Sequence, residues 1–155
     1  MELADILAER AVLFCTDIKT KRQLFEQLSG RAAEITGRPE SDILQSILNR
    51  EELGSTGLGN GIAIPHGKVA GLKGVTALFA RLAEPIEFDA MDDQPVDLVV
   101  MLLAPTGAGA DHLKALSRVA RLLRTETVVD ELRRLEEPDK LRAVLTAPEP
   151  SHYAA

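Results

Sequence analysis

Three histidines, one cysteine, one tyrosine and no tryptophan are spread over 155 residues, so side-chain chemistry has few candidates. His66 is the most informative. It stands in Ile62-Ala63-Ile64-Pro65-His66-Gly67, where an apolar stretch meets proline and glycine. Proline fixes φ and has no amide hydrogen, and glycine permits close approach, so this position can present an imidazole to a substrate with the Gly67 amide as a donor. Free imidazole titrates near pH 6.5, so at neutral pH a ring nitrogen is available to attack an electrophile such as phosphorus. The same placement suits a histidine held for packing, and the residue types alone leave both roles open. Cys15, within Val12-Leu13-Phe14-Cys15, reads as a small buried hydrophobe. One thiol allows neither an internal disulfide nor a multi-cysteine zinc cluster, which fits a reducing, cytoplasmic setting. His152 sits beside Tyr153 in a stretch with Pro148 and Pro150 and is expected on the surface of a mobile tail, residues 148–155.

Glycines gather on both sides of His66, at Gly54, Gly57, Gly59 and Gly61 and again at Gly67, Gly71 and Gly74. Such clusters serve either a ligand or tight turns between packed elements. Two nucleotide motifs fail. Five residues rather than four separate Gly61 from Gly67 and Lys68 precedes Val69, unlike a Walker A loop, and Gly57-x-Gly59-x-Gly61 misses G-x-G-x-x-G. HExxH is absent. A metal-dependent hydrolase built on His66, His112 and Asp92, Asp93 or Asp111 has no compact ligand spacing behind it. An inert packing module is a third reading.

The elements that must position these residues follow from periodicity. Leu3, Ile6 and Leu7 suggest a short helix before a strand at Val12 to Cys15. Thr20 and Gln23 form a capping box for a helix carrying Leu24, Leu28, Ala32 and Ile35, and Gly37 with Pro39 ends it. Ser41 is expected to cap a second helix with Ile43, Leu44, Ile47 and Leu48 on one face and Gly54 at its end. Ile62 to Ile64, Val75 to Leu82 and Val96 to Leu103 read as strands. The last scarcely alternates, as in a strand covered on both faces. Helices are expected at Asp111 to Arg124, with Asp111 as N-cap, and at Glu126 to Leu135 and Pro138 to Leu145. The result is an α/β sandwich, a mixed central sheet covered by helices on both faces, in one domain over residues 1–147.

Composition narrows the partners. A net charge of −6 and 3% aromatic residues disfavour counterion release and base stacking, so nucleic acid is not an expected ligand. No apolar run approaches the ~20 residues of a membrane span, and the start lacks a basic segment followed by an apolar one, so an unprocessed soluble protein without membrane insertion is expected.

The stretch from Glu51 to Gly67 reads as an acidic residue, six others, Leu58-Gly59, two others, and Ile62-Ala63-Ile64-Pro65-His66-Gly67. It resembles the phosphorylation-site signature of phosphotransferase-system IIA proteins of the mannitol/fructose type. Leu3-Ala4-Asp5-Ile6-Leu7, Val12-Leu13-Phe14 and the Lys19 to Leu28 helix start resemble the nitrogen-regulatory branch of that family. The resemblance implies a phosphotransferase component, mainly a phosphocarrier and regulator. His66 would accept a phosphoryl group through Nε2 from a phosphohistidine on an HPr-like carrier, without nucleotide, metal or other cofactor. It implies support from Arg50 and His112, which occupy positions matching the family's phosphoryl-binding arginine and second histidine. Guanidinium suits bidentate anion binding, and His112 follows the Pro105 to Gly109 loop near a helix start. Output would go to nitrogen-metabolism or potassium-transport regulators. The alternative is a sugar-specific fructose or mannitol IIA component relaying phosphate to a separate IIB protein. Ser55 and Thr56 could bring hydroxyls to the pocket or bond locally, and Lys68 could offset phosphate charge or solvate a loop.

Overall fold

Every residue of β6 (Val96–Ala104) except Asp97 is buried, as its nearly unbroken apolar sequence requires of a central strand. In the computed structural model, which describes residues 2–148, β6 organises a mixed six-stranded sheet. On one side it pairs antiparallel with β5 (Thr76–Ile86), which pairs parallel with β1 (Val12–Cys15). On the other side two short strands run parallel to it end to end, β3 (Ile62–Ala63) and β4 (His66–Lys68). β2 (Gly57–Gly59) pairs antiparallel with β3 at the margin. The expected mixed sheet is present, but β2 and β4 were not anticipated.

Helices cover both faces. α2 (Lys21–Thr36) and α3 (Glu40–Glu52) pack on each other and against β5 and β4, respectively. α4 (Gly109–Leu122) lies on β6 and α6 (Pro138–Thr146) on β1, with α1 (Leu3–Ile6) touching both helices and α5 (Glu126–Leu132) packed on α6. α2 begins at the expected capping box and ends at Gly37, whose φ of 74° lies in the left-handed region that glycine occupies without strain. Two caps differ from expectation. Pro39, not Ser41, is the N-cap of α3, because the carbonyl of this φ-restricted residue already receives the Asp42 and Ile43 amides. Ala108, not Asp111, is the N-cap of α4, and Asp111 falls inside the first turn. Acidic residues are favoured throughout the first turn by the helix dipole, so the same signal marks either position. Among the described residues no helix is long and apolar enough to cross a membrane.

The contact of α3 with β4 fixes the edge of the sheet. A Cβ built on Gly67 would lie 3.3 Å from the Ser46 backbone carbonyl carbon and would collide with Ser46 Oγ, which donates 2.7 Å to the Lys68 carbonyl. The absent side chain at Gly67 therefore admits α3 rather than a substrate. Gly67→Ala should cost about 1–3 kcal/mol by overpacking, read as a lower urea midpoint at unchanged slope. Ser46→Ala in the same chain should recover part of the loss.

Candidate functional site

β3 and β4 would form one continuous strand but for Ile64-Pro65. Pro65 has no N–H to give to the ladder, although its carbonyl still accepts the Leu102 amide at 2.9 Å. At this break the Ile64 carbonyl meets His66 Nδ1 at 2.8 Å. A carbonyl can only accept, so the imidazole proton resides on Nδ1 and the lone pair on Nε2. β4 has β6 as its partner strand, and His66 remains half-buried at the mouth of a cleft of about 610 Å³.

That cleft brings together His66, Arg50, Lys68 and His112, along with Ser46 and Asn49 of α3. Arg50 comes from the last turn of α3, and its Nη1 donates to the Gly54 carbonyl at 2.9 Å. This bond uses one of the five guanidinium N–H groups. His112 extends from the start of α4 and is only 8% exposed. Its ring meets that of His66 edge-on, with centroids 5.4 Å apart and planes at 72°. Its buried Nε2 has no hydrogen-bond partner among the described residues. No side chain caps the start of α4.

Both histidines are held below the ordinary value. Burial is the main cause for His66; the Arg50 cation pushes the same way, against the Ile64 bond and the Glu51 charge. Burial also dominates for His112, reinforced by His66 and Lys68. The surroundings of both rings therefore favour the neutral form over the cation. The same shifts predict a stability trend. Between the unfolded value near 6.5 and the lower folded values, the unfolded chain binds more protons, so stability is lost as pH falls through that window. The His66→Gln, His112→Gln double variant should flatten the decline that sets in below about pH 6.5 in urea titrations.

The two hydroxyls left open by the sequence both bond locally. Ser55 Oγ donates to the Phe88 carbonyl at 2.9 Å and accepts the Gly57 amide at 3.1 Å. Thr56 is buried, and its amide and hydroxyl reach Glu51 Oε2 and Oε1 at 2.9 and 2.7 Å. Lys21 Nζ completes the Glu51 environment at 2.9 Å and stands 4.3 Å from the centre of the Phe88 ring. Glu51, the acidic residue that opens the signature, thus anchors the glycine-rich loop. Its sequence position was legible but its partners were not. Asp92 accepts the Asn60 and Gln94 amides, which hold its carboxyl below the ordinary value. Among the described residues no group of three or more His, Cys, Asp or Glu side chains is arranged to hold a metal. His152 lies outside the described residues.

Comparison with known proteins places this mixed α/β fold in a family. The model of the phosphoenolpyruvate-dependent sugar phosphotransferase system EIIA 2 family matches residues 5–147, and the chain belongs to that family. A nitrogen regulatory protein of Bradyrhizobium diazoefficiens is 47% identical over 148 residues, 96% of this chain and 97% of that protein. The crystal structure of nitrogen regulatory protein IIA-Ntr from Neisseria meningitidis superimposes with a TM-score of 0.86 at 36% identity, over 93% of this chain and 99% of that one. A fructose-specific EIIA component of Haloferax volcanii is 44% identical over 102 residues, 66% of each chain.

Proposed function

We propose that the chain is a nitrogen-regulatory phosphocarrier in which His66 Nε2 takes a phosphoryl group from a phosphohistidine on an HPr-like protein. The observation that carries this reading is the Nδ1–H bond to the Ile64 carbonyl, which leaves Nε2 as the lone-pair nitrogen of a half-buried ring in the cleft. Nε2 attacks phosphorus, the donor N–P bond breaks, and its electron pair returns to the donor imidazole. The product keeps the proton on Nδ1, so the phosphorylated ring is an imidazolium whose charge the Ile64 carbonyl stabilises, and it is a good leaving group for onward transfer. The donor's N–P bond brings the activation, so alignment and charge stabilisation suffice. Arg50 donates to phosphoryl oxygens and His112 offers its unpartnered Nε2 as an N–H donor. Phosphorylation sets a doubly charged phosphoryl group on the protonated ring, a net change of about one negative charge at the sheet edge, without refolding the domain, and partners read that change.

Residues 1–147 form the single phosphocarrier domain in this reading, and the chain works in the cytoplasm. The proposed tail, 148–155, lies almost wholly outside the described residues. The regulated partners are nitrogen-metabolism or potassium-transport regulators, the first in keeping with the name of the Bradyrhizobium nitrogen regulatory protein. Likeness to the Haloferax fructose component supports a second output, relay to a separate IIB protein. Incubation with a 32P-labelled HPr-like carrier should transfer an acid-labile, base-stable label. No transfer from any such carrier would refute the reading. Retention of label in the presence of a IIB protein, with regulators binding unmodified and labelled chains differently, would favour regulation over relay.

A further inference from the structure

The ring of His66 is connected, bond by bond, to a buried carboxylate at the end of α3. Glu51 is only 7% exposed in its side chain, and both its oxygens are occupied: Oε2 by the Thr56 amide and Lys21 Nζ, Oε1 by the Thr56 hydroxyl. Thr56 in turn accepts the Ile64 amide on its carbonyl at 3.1 Å. Ile64, itself buried, directs its own carbonyl to His66 Nδ1. Pro65 follows with its φ restricted by the ring. The Ile64 carbonyl is thus constrained from the Thr56 side and from the Pro65 side, where no ladder bond holds it.

We propose that Glu51 and Thr56 are positioning residues that set the tautomer of His66 through Ile64. A free neutral imidazole can carry its proton on either nitrogen. Only the Nδ1–H form leaves a lone pair on Nε2, the nitrogen that reacts in the function proposed above, on which this inference rests. If the Thr56 backbone loosens, Ile64 is released, its carbonyl turns away from the ring, and the Nε2–H form becomes populated at the expense of the nucleophile. Lys21 holds Glu51 in place from α2. The signature's acidic residue therefore acts on the histidine from across the glycine-rich loop rather than from inside the cleft.

Thr56→Val removes the hydroxyl bond without changing charge, and Thr56→Ser restores it. The 15N shifts of the His66 ring report the tautomer without reference to phosphorylation. In the parent chain Nδ1 should appear protonated and Nε2 unprotonated. In Thr56→Val the two shifts should move toward each other, with label transfer from a phosphorylated carrier slowed roughly three- to tenfold, the range of one ordinary hydrogen bond. Thr56→Ser should recover both. Glu51→Gln, which preserves shape and removes the hold on Lys21, should move the ring shifts in the same direction. Unchanged shifts in folded Thr56→Val and Glu51→Gln would overturn the proposal, as would slowed transfer with an unchanged tautomer. A parent chain that takes no label but shows the expected shift changes would overturn the phosphocarrier reading and leave the relay standing.

Discussion

His66→Ala is expected to take no acid-labile label from a phosphorylated HPr-like carrier, under conditions that label the parent chain to completion. The expectation follows from the poverty of nucleophiles in the cleft. His112, the nearest imidazole, is 8% exposed, with its Nε2 enclosed, so it can donate toward a bound phosphoryl group but cannot meet a carrier's phosphorus in line. Asp42 and Ser46 also line the cleft. An acyl phosphate on the first would be base-labile and a phosphate ester on the second acid-stable, so the chemistry of any residual label identifies its bearer. The variant should fold, because the ring is half-buried and its loss relieves a desolvated group. Far-ultraviolet circular dichroism and a urea midpoint close to that of the parent would confirm it.

The second large effect is at Arg50. Its charge already reaches His66, lowering the imidazole's affinity for a proton, and its guanidinium is tethered at one corner by the Gly54 carbonyl. An incoming phosphoryl group brings negative charge into a partly enclosed site, where a charge-assisted hydrogen bond is worth about 1.5–3 kcal/mol. Arg50→Ala should therefore slow phosphoryl acceptance roughly 10- to 100-fold. Arg50→Lys should recover only part of this, since an ammonium supplies charge without the planar pair of donors. Ring titration provides an independent readout. Removing Arg50 takes away a cation that depresses His66, so the His66 pKa should rise toward its ordinary value in both the Ala variant and, less so, the Lys variant. An Ala variant with unchanged rate would remove Arg50 from the site.

Much of this arrangement is legible in the sequence because its signals are local. The Thr20 and Gln23 capping box, the stop at Gly37 and the nearly unbroken apolar run of β6 each state their own structure. The signature around His66 is read in the same way. What escaped has a common cause in length and distance. β2 and β4 are three residues each and contain glycine, too short for any periodicity to register. At Gly67 the room that the sequence suggests for a substrate is filled by Ser46 of α3, a contact across the fold that no spacing encodes. Thr56 bonds to Glu51 five residues earlier, yet its hydroxyl had an equally sound alternative in the pocket. Asp111 and Ser41 failed as caps because their preferences extend over the first helical turn and do not single out one residue.

The most direct test of the account is the position of the phosphoryl group. The chain, labelled with 15N at histidine, is phosphorylated by an HPr-like carrier, and one- and two-bond couplings between phosphorus and the ring nitrogens are measured. A single phosphohistidine is expected, at His66, with phosphorus on Nε2 and the proton still on Nδ1. Phosphorus on Nδ1 of His66, on His112, or on a residue outside the cleft would contradict it.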